Sequence, residues 1–342
     1  MPGLDLRSIY SYDNTTVKDH IYYSANHYKG SADNGNVNEY RTTYEKMVTS
    51  TTANYTGTFD KHTVGTMVGF EAEKNKTDYV RATGSNLAVS TIHTVSTAGT
   101  QTSAGYSWGN SMVSVLSKLD YNYDERYFIS GSYRRDGSSR LSKQERWGNF
   151  WSLGASWRVD RESFMASTSD WLSALTLKMS YGAQGNDNLG TYYASKGLYS
   201  IVSNLGENAL VSDRMATPNL KWETNLNFNV GIDFSLFNNR FSGSFDFFTR
   251  RSKDLLYSRP IAPSLGYGSI DENVGALKNT GIEMVLYGTI INQNGWVWKL
   301  GMNLTHYKNK VTDLPLKDMP RSGVNKLQVG RSVYDFYMIE WA

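Results

Sequence analysis

Hydrophobic and polar residues alternate without an error from Asn225 to Leu236. The apolar positions of this segment are Leu226, Phe228, Val230, Ile232, Phe234 and Leu236, each separated from the next by a polar or small residue. A period of two is typical of a β-strand that has one apolar and one polar face. The run ends at the segment 237–240 and restarts at Phe241, so the two runs predict a β-hairpin with a turn rich in Asn.

The same pattern recurs along the chain and predicts about eleven strands. Other short turns are expected near residues 60, 125 and 294. Many of the runs are about 9 to 20 residues long, whereas strands of soluble sheets usually have about 5 to 6. A tilted crossing of a bilayer takes about 9 to 11 residues. The alternating runs are 44–58 with 64–70, 113–123 with 127–133, 151–159 with 175–181, and 282–286 with 296–304.

The predicted connections alternate between short and long. Between the tight turns lie long polar segments at about 13–37, 84–108, 186–221 and 251–279. An up-and-down barrel that crosses a membrane has tight turns on one side and long loops on the other. The alternation therefore favours a membrane barrel over a soluble sandwich.

Aromatic residues make up 13% of the chain and gather near the predicted strand ends. In a membrane barrel they would form the belts at the two membrane surfaces. The alternative is that they fill the core of a soluble barrel. The residues concerned are Tyr121, Tyr123, Trp147, Trp151, Trp222, Trp296 and Trp298.

Composition and charge narrow the function classes. The mean hydropathy is −0.49, and no run approaches the ~18 consecutive apolar residues of a transmembrane helix. These values do not argue against a membrane barrel, because strands that alternate apolar and polar residues also have a low mean hydropathy. A net charge of +3 is too small to indicate nucleic-acid binding. Without cysteine there is no disulfide frame and no thiolate metal site. Among the five histidines only His20 and His27 lie close together; we interpret them as polar loop residues, with a metal site as the minor alternative, and expect no cofactor.

One segment matches an enzyme motif. Gly105-Tyr106-Ser107-Trp108-Gly109 fits the G-x-S-x-G pattern of a hydrolase nucleophile elbow, and the apolar residues after it have helical spacing. An elbow needs an apolar strand before it, whereas residues 94–102 are mostly Thr, Ser and Gly. A serine hydrolase that uses Ser107 is therefore an alternative that the context does not favour.

Two polar segments could contact ligands. Gly185-Asn186-Asp187-Asn188 offers oxygen ligands for calcium but lacks the spacing of a calcium loop, so we expect an ordinary loop. The charged segment Arg134–Arg140 contains Asp136-Gly137, and we expect a solvated loop with a turn there rather than a ligand contact.

Several sequence blocks together resemble the barrel of SusC/RagA-type TonB-dependent transporters. They keep that family's order from about residue 105 to 310, and residues before 105 fit its looser middle barrel. The blocks are Tyr121–Tyr127 with Arg135–Arg140, Trp157–Val159 with Glu162–Met165, Leu177–Gly182 with Gly185-Asn186, Pro218–Thr224, Phe237–Arg240, and Asn273–Gly275 with Asn279–Glu283.

The resemblance implies an all-β fold: an antiparallel up-and-down transmembrane β-barrel of 22 strands, of which residues 1–342 would supply about half. It also implies an N-terminal plug, import of large nutrients such as oligosaccharides or peptides with energy from TonB, and a SusD-type lipoprotein on the outer loops. The signal peptide, the TonB-contacting segment and the plug are expected to be missing. The last strands are expected to be missing too, because the chain stops at Glu340-Trp341-Ala342 without a terminal strand and a final aromatic residue. Such a fragment would reside in outer-membrane lipid only with its two open edges paired, so alone it should neither close nor transport.

Candidate contacts follow from this picture. Polar strand residues would line the lumen, namely Asn225, Asn227, Asn229, Lys299 and Asn303. Loop aromatics would contact the substrate, or simply pack their loops: Tyr192, Tyr193, Tyr257 and Tyr267. A soluble all-β carbohydrate-binding module remains the second hypothesis for the whole chain.

Overall fold

The computed structural model describes residues 3–315, 318–320 and 324–338, so the chain end at Glu340–Ala342 lies outside the described residues. No helix in these ranges is long and apolar enough to cross a membrane. In the described ranges, short 3-10 helices span Ser31–Asp33, Val95–Thr97, Val159–Arg161, Ser163–Thr168 and Pro263–Leu265. The strands are β1 Leu4–Tyr23, β2 Asn36–Phe59, β3 His62–Leu87, β4 Ala98–Tyr123, β5 Tyr127–Ser138, β6 Trp147–Arg158, β7 Leu172–Asn186, β8 Leu198–Asn204, β9 Glu207–Arg214, β10 Glu223–Leu236, β11 Phe241–Lys253, β12 Leu256–Pro260, β13 Ser269–Asn273, β14 Ala276–Gln293, β15 Trp296–Asp313, β16 Asp318–Pro320 and β17 Lys326–Gln328.

Eleven of these strands form a single antiparallel sheet in which each strand pairs with the next. The order is β1 to β7, then β10, β11, β14 and β15. The remaining strands pair as β8 with β9, β12 with β13 and β16 with β17. The predicted all-β, up-and-down architecture with about eleven strands is therefore confirmed.

The predicted tight turns are present near residues 60, 125, 238 and 294. Their central residues have positive φ, which favours Asn, Asp and Gly. Asn294 has a φ of 52° and Gly295 of 79°, and Asp124 has a φ of 53°. Because these residue types adopt the left-handed conformation at low energetic cost, the sequence predicts the turns correctly.

Two predicted loops are mostly strand. The segment 13–37 was expected to be a loop, but β1 extends to Tyr23 and β2 starts at Asn36; the segment 84–108 was expected to be a loop, but only residues 88–97 connect β3 to β4. These parts of the strands carry polar residues on both faces, so they lack the alternation that marks a strand. The other two connections, 187–222 and 254–275, are long as predicted, and each contains a small hairpin.

Two local predictions were also wrong. Val159 was expected to continue a strand but begins a 3-10 helix. Arg134–Arg140 was expected to form a loop with an Asp-Gly turn, but β5 continues through Asp136 and Gly137, which pair with Gly148 and Trp147. Asp136 is buried there, and the guanidinium of Arg134 compensates its charge by donating to its carboxylate at 2.6 Å.

The chain divides into two compact units. Unit 1 consists of residues 1–7, 52–70 and 114–342, and unit 2 of residues 8–51 and 71–113. Unit 2 has a small apolar core of Val37, Leu87 and Ala98, against which Tyr22 and Val95 pack. In unit 1, large rings pack onto glycines of neighbouring strands, as Phe150 does on Gly185 and Phe248 on Gly281.

Candidate functional site

One face of the sheet in unit 1 is apolar from strand to strand. The register aligns Ala155, Met179, Val230, Phe247 and Ile282 across five neighbouring strands. Many side chains of this face are exposed; Leu153, for example, is 59% exposed. A continuous exposed apolar surface contacts lipid or another protein rather than water. This face therefore argues against the soluble carbohydrate-binding module.

The aromatic residues on the apolar face are spaced as membrane belts. Trp147 and Trp157 lie at the two ends of β6, and both point to the face that carries Leu153. Ten residues at about 3.3 Å each, tilted by about 40°, give a band about 25 Å tall, the height of the apolar band of outer-membrane barrels.

The opposite face is polar and has a charged cluster near its middle. The ammonium of Lys178 on β7 lies 2.7 Å from Asp233 Oδ1 and 3.0 Å from Asp246 Oδ1. Asp246 in turn pairs in register with Glu283 on β14. With one cation and three carboxylates, this part of the polar face carries net negative charge.

The residues predicted to line the lumen share this polar face. Asn225, Asn227 and Asn229 alternate with the apolar residues of β10, and the Asn227 amide donates to Gln184 Oε1 at 3.3 Å. Lys299 and Asn303 each lie two residues from Gly301 on the same face of β15, where Asn303 pairs with Val285. Alternation alone was sufficient to assign these residues to one face.

A polar network anchors the long connection between β7 and β10. The Ser138 hydroxyl, which is fully buried, donates to Asp187 Oδ2 at 2.5 Å, and Arg140 Nη1 lies 3.6 Å from Asp187 Oδ1. The Ser195 hydroxyl donates to the Arg140 carbonyl at 3.1 Å. Leu141, which follows Arg140 in the sequence, and Leu220, in the connection between β7 and β10, are each only 2% exposed. The connection is thus fixed by buried contacts, and Asp187 is engaged by protein groups rather than held open for calcium.

The four aromatic candidates lie in two separate loop segments. Tyr192 and Tyr193 follow β7, where the Arg140 guanidinium lies 5.1 Å from the centre of the Tyr192 ring and the Lys196 ammonium 5.4 Å from that of Tyr193. Tyr257 lies in β12 and Tyr267 in the connection from β12 to β13. All four are half-buried, so packing accounts for part of each ring, and substrate contact remains a prediction for the rest.

Contacts between the two long connections were not predicted. Arg214 Nη1 lies 2.7 Å from Asp271 Oδ2, and the Asn273 side chain accepts from the Lys221 amide and donates to the Lys221 carbonyl, both at 2.8 Å. Partners more than fifty residues apart leave no local sequence signal. These contacts join the two connections into one loop layer at the ends of the strands that they connect.

The tight-turn side holds a second group of charges. Glu162 accepts from the Tyr127 hydroxyl at 2.6 Å and the Trp157 indole at 3.0 Å, and these bonds hold the pKa of its carboxyl below the usual range. Burial alone would raise the pKa of Asp160, but hydrogen bonds from Arg158 and from the Leu175 amide outweigh it, so that this pKa too is lowered. Both carboxylates thus hydrogen-bond the connection between β6 and β7 to the ends of neighbouring strands.

The structure does not support the alternative chemistry. Ser107 lies within β4, not in a strand-to-helix elbow, and its hydroxyl hydrogen-bonds to Asp78; the helical spacing predicted behind it falls on the same strand. His20 Nδ1 lies 2.6 Å from Glu39 Oε1, whereas His27 stacks on Tyr23. Within the described ranges, no group of three or more His, Asp or Glu side chains is arranged to hold a metal ion.

An apolar band on one face, a polar face opposite, and tight turns at one end with long loops at the other define a β-barrel of the outer-membrane type. The chain belongs to the TonB dependent receptor-like β-barrel family, whose model matches residues 3–338. Within this family it is of the SusC/RagA type.

The relatives support this assignment. SusC of Bacteroides thetaiotaomicron is 32% identical over 217 residues, which are 61% of this chain and 22% of that protein. TonB-dependent receptor P39 of Formosa agariphila is 29% identical over 316 residues, 89% of this chain and 30% of that protein. A solved structure of the RagAB peptide transporter superposes with a TM-score of 0.89 at 26% identity, over 97% of this chain and 37% of that one. The chain thus spans about a third or less of the length of these relatives.

Proposed function

We propose that this chain is part of the barrel of a TonB-dependent importer in the outer membrane, with residues 1–342 contributing one partial barrel domain. The intact protein would take up large nutrients, oligosaccharides or peptides, with energy passed on by TonB, and a SusD-like lipoprotein would cover its outer loops. The family itself consists of receptors and transporters rather than enzymes.

The observation that carries the proposal is the separation of the two faces. The same strands present Met179, Val230 and Phe247 to one side and Lys178, Asp233 and Asp246 to the other. A sheet of this kind separates lipid from a water-filled passage, because charges face the lumen and apolar side chains face the hydrocarbon. The loop layer at one end of the polar face is suited to contact a solute before it enters.

An uptake experiment in the native host tests this function. A strain that lacks the gene for the intact protein is complemented with that gene, and uptake of fluorescently labelled hexasaccharides and hexapeptides is measured with and without TonB. We expect uptake of at least one probe that needs both the gene and TonB. Equal uptake in the deletion strain for every probe, or uptake that does not change without TonB, would contradict the proposal.

The partner is tested separately. Affinity purification of the intact protein from detergent-solubilised outer membranes should recover a surface lipoprotein in near-equal amount. Recovery of the barrel without such a lipoprotein would contradict the proposed SusD-like partner. The importer function would still be tested by the uptake experiment.

A further inference from the structure

Unit 2 carries a row of stacked aromatic rings on the polar face of its strands. The Tyr106 ring stacks between its neighbours, with its centre 4.0 Å from that of Trp108 and 4.7 Å from that of Tyr79. The interplanar angles are 11° and 20°, and the Tyr40 ring continues the row at 6.4 Å from Tyr79. Tyr44 lies on the same face of β2 as Tyr40. We refer to Tyr40, Tyr44, Tyr79, Tyr106 and Trp108 as the aromatic patch.

The aromatic patch is exposed although its rings are large. Tyr44 is 50%, Trp108 43% and Tyr106 40% exposed. Apolar rings that only stabilised unit 2 would be buried, as Leu87 and Ala98 are in its core. Stacking against one another fixes the rings in place, so a ligand that packs on them costs little side-chain entropy.

The groups around the aromatic patch are polar and include both cations and carboxylates. Lys46 Nζ lies 3.1 Å from Glu73 Oε2, so these two charges compensate each other. Arg81 follows Tyr79 on the same face of β3, while the His20–Glu39 pair between β1 and β2 places Asp19 beside Tyr40. At the far border, the Thr83 hydroxyl donates to Asn38 Oδ1 at 2.9 Å. Charged groups of both signs thus border the patch, whereas its floor consists of uncharged rings, and this suits a ligand without net charge.

The position of the patch in the sheet restricts how a ligand can bind. Its rings belong to β2, β3 and β4, which are interior strands of the sheet, each with a neighbour on both sides. Peptides that bind to sheets mostly add a strand to an open edge and use main-chain hydrogen bonds. Interior strands offer side chains only, in this case ring faces and edges with phenol and indole groups. These suit pyranose rings, whose C–H faces are apolar and whose hydroxyls exchange hydrogen bonds with tyrosine.

We propose that the aromatic patch, centred on Tyr79, Tyr106 and Trp108, is a binding site for a neutral oligosaccharide. The site rests on the importer function proposed above and narrows its substrate class to glycans. It is distinct from the loop tyrosines Tyr192, Tyr193, Tyr257 and Tyr267, which lie in unit 1.

The test uses the intact protein in detergent and measures affinity by calorimetry for maltohexaose, cellohexaose, xylohexaose and laminarihexaose, with a neutral hexapeptide for comparison. The variant Tyr106→Ala/Trp108→Ala removes the middle and one end of the stack. We expect the oligosaccharide that the unchanged protein binds best to bind the variant about tenfold more weakly, as for the loss of a central aromatic anchor.

Two sets of controls make the result specific. Tyr28→Ala removes a tyrosine of unit 2 that is 78% exposed but lies outside the patch, and it should leave affinity unchanged. Tyr106→Phe and Trp108→Phe keep aromatic rings and should retain most of the affinity. If the double alanine variant does not reach the outer membrane, the comparison of Trp108→Ala with Trp108→Phe provides the same test.

Several outcomes would overturn the site. Unchanged affinity in the double variant, equal weakening by Tyr28→Ala, absence of binding for all four oligosaccharides, or a hexapeptide that binds in their place would each do so. A failure of the importer function is recognised separately, because the unchanged protein would then show no TonB-dependent uptake of any probe.

Discussion

The ring of Phe150 on β6 packs against the backbone of Gly185 on β7, in the space that a side chain at residue 185 would need. The same ring lies over Gly148, and its edge meets Trp222 at 5.2 Å between ring centres. The Trp222 indole donates to the Arg146 carbonyl at 2.9 Å. One aromatic ring thus joins two strands to Trp222, the last residue of the connection between β7 and β10.

Replacement of Gly185 by alanine should therefore destabilise the protein. A methyl group at residue 185 would overlap the Phe150 ring, and overpacking of this kind costs about 1–3 kcal/mol. The measurement is urea unfolding of the intact protein in detergent. Gly131→Ala is the matched control, because its methyl group would meet only Leu153 Cδ2 at 3.5 Å, an ordinary contact.

The cause can be isolated with a double-mutant cycle. In a Phe150→Ala background, where the ring is gone, Gly185→Ala should cost almost nothing. A Gly185→Ala variant as stable as Gly131→Ala, or one equally harmful with and without Phe150, would show that the ring does not occupy this space.

Acidification should weaken the connection between β6 and β7 through Asp160. Its pKa is lower in the folded protein than in the unfolded chain, where an Asp carboxyl has a pKa of about 3.9. The stabilisation is therefore fully present above about pH 4 and is lost as the pH falls through the folded pKa. Asp160→Asn should lower the free energy of unfolding at pH 7 by about 1–3 kcal/mol, because it removes a carboxylate that Arg158 and the Leu175 amide bind.

The pH series provides the check on this assignment. Asp160→Asn should flatten the loss of stability below pH 4, whereas Asp170→Asn, at an exposed residue of the same connection, should leave the curve unchanged. An acid-induced loss that is as steep in Asp160→Asn as in the unchanged protein would assign that loss to other carboxylates.

Lys178 should contribute to stability in a manner that depends on salt. Lys178→Met leaves Asp233 and Asp246 without their cation, and since the cluster is partly exposed we expect a loss of about 0.5–1 kcal/mol at low ionic strength. In 1 M NaCl, where the Debye length is about 3 Å, the deficit should shrink. Lys299→Met, which removes a lysine from the polar face of β15, is the control. If the loss of stability in Lys178→Met did not depend on salt, or if Lys299→Met lost as much stability, Lys178 would not act by compensating the charges of Asp233 and Asp246.

Ser107 should have no catalytic role. It lies in the middle of β4 with its hydroxyl bound to Asp78, so Ser107→Ala should leave hydrolysis of p-nitrophenyl esters by the purified protein at the background rate of detergent buffer. Ester hydrolysis above background that disappears in Ser107→Ala would restore the hydrolase hypothesis.

The sequence predicted the fold best where one face of a strand is apolar. Leu226 to Leu236 alternate perfectly because one side of β10 carries the apolar band and the other the polar face. The end of β1 and the beginning of β4 do not alternate, because polar residues lie on both sides of the strand, as Thr15, Thr16, Lys18 and Asp19 illustrate in β1. Hydrophobic residues alternate with polar ones only where the two faces of a strand differ in polarity, so a strand with two polar faces cannot be recognised from alternation.

The candidate site was only partly predictable for a different reason. The polar face followed from alternation, but the anchors of the loop layer, such as Arg214 with Asp271, depend on contacts between distant segments. Two residues of the aromatic patch, Tyr106 and Trp108, lie in the segment 84–108, whose sequence indicates a loop, so their common face is not evident from the sequence. Once the segment is recognised as a strand, residues two apart fall on the same face and the stack becomes apparent.

The number of strands in the sheet has a consequence for assembly. Directions alternate from each strand to the next, so β1 and β15, the first and the eleventh, run the same way. Joined to each other they would meet as parallel neighbours; a wholly antiparallel ring therefore requires an odd number of further strands between them. Any polypeptide that closes this sheet into a ring, whether from the same gene or another, must therefore contribute an odd number of strands. An even number of added strands would leave one pair of neighbouring strands parallel.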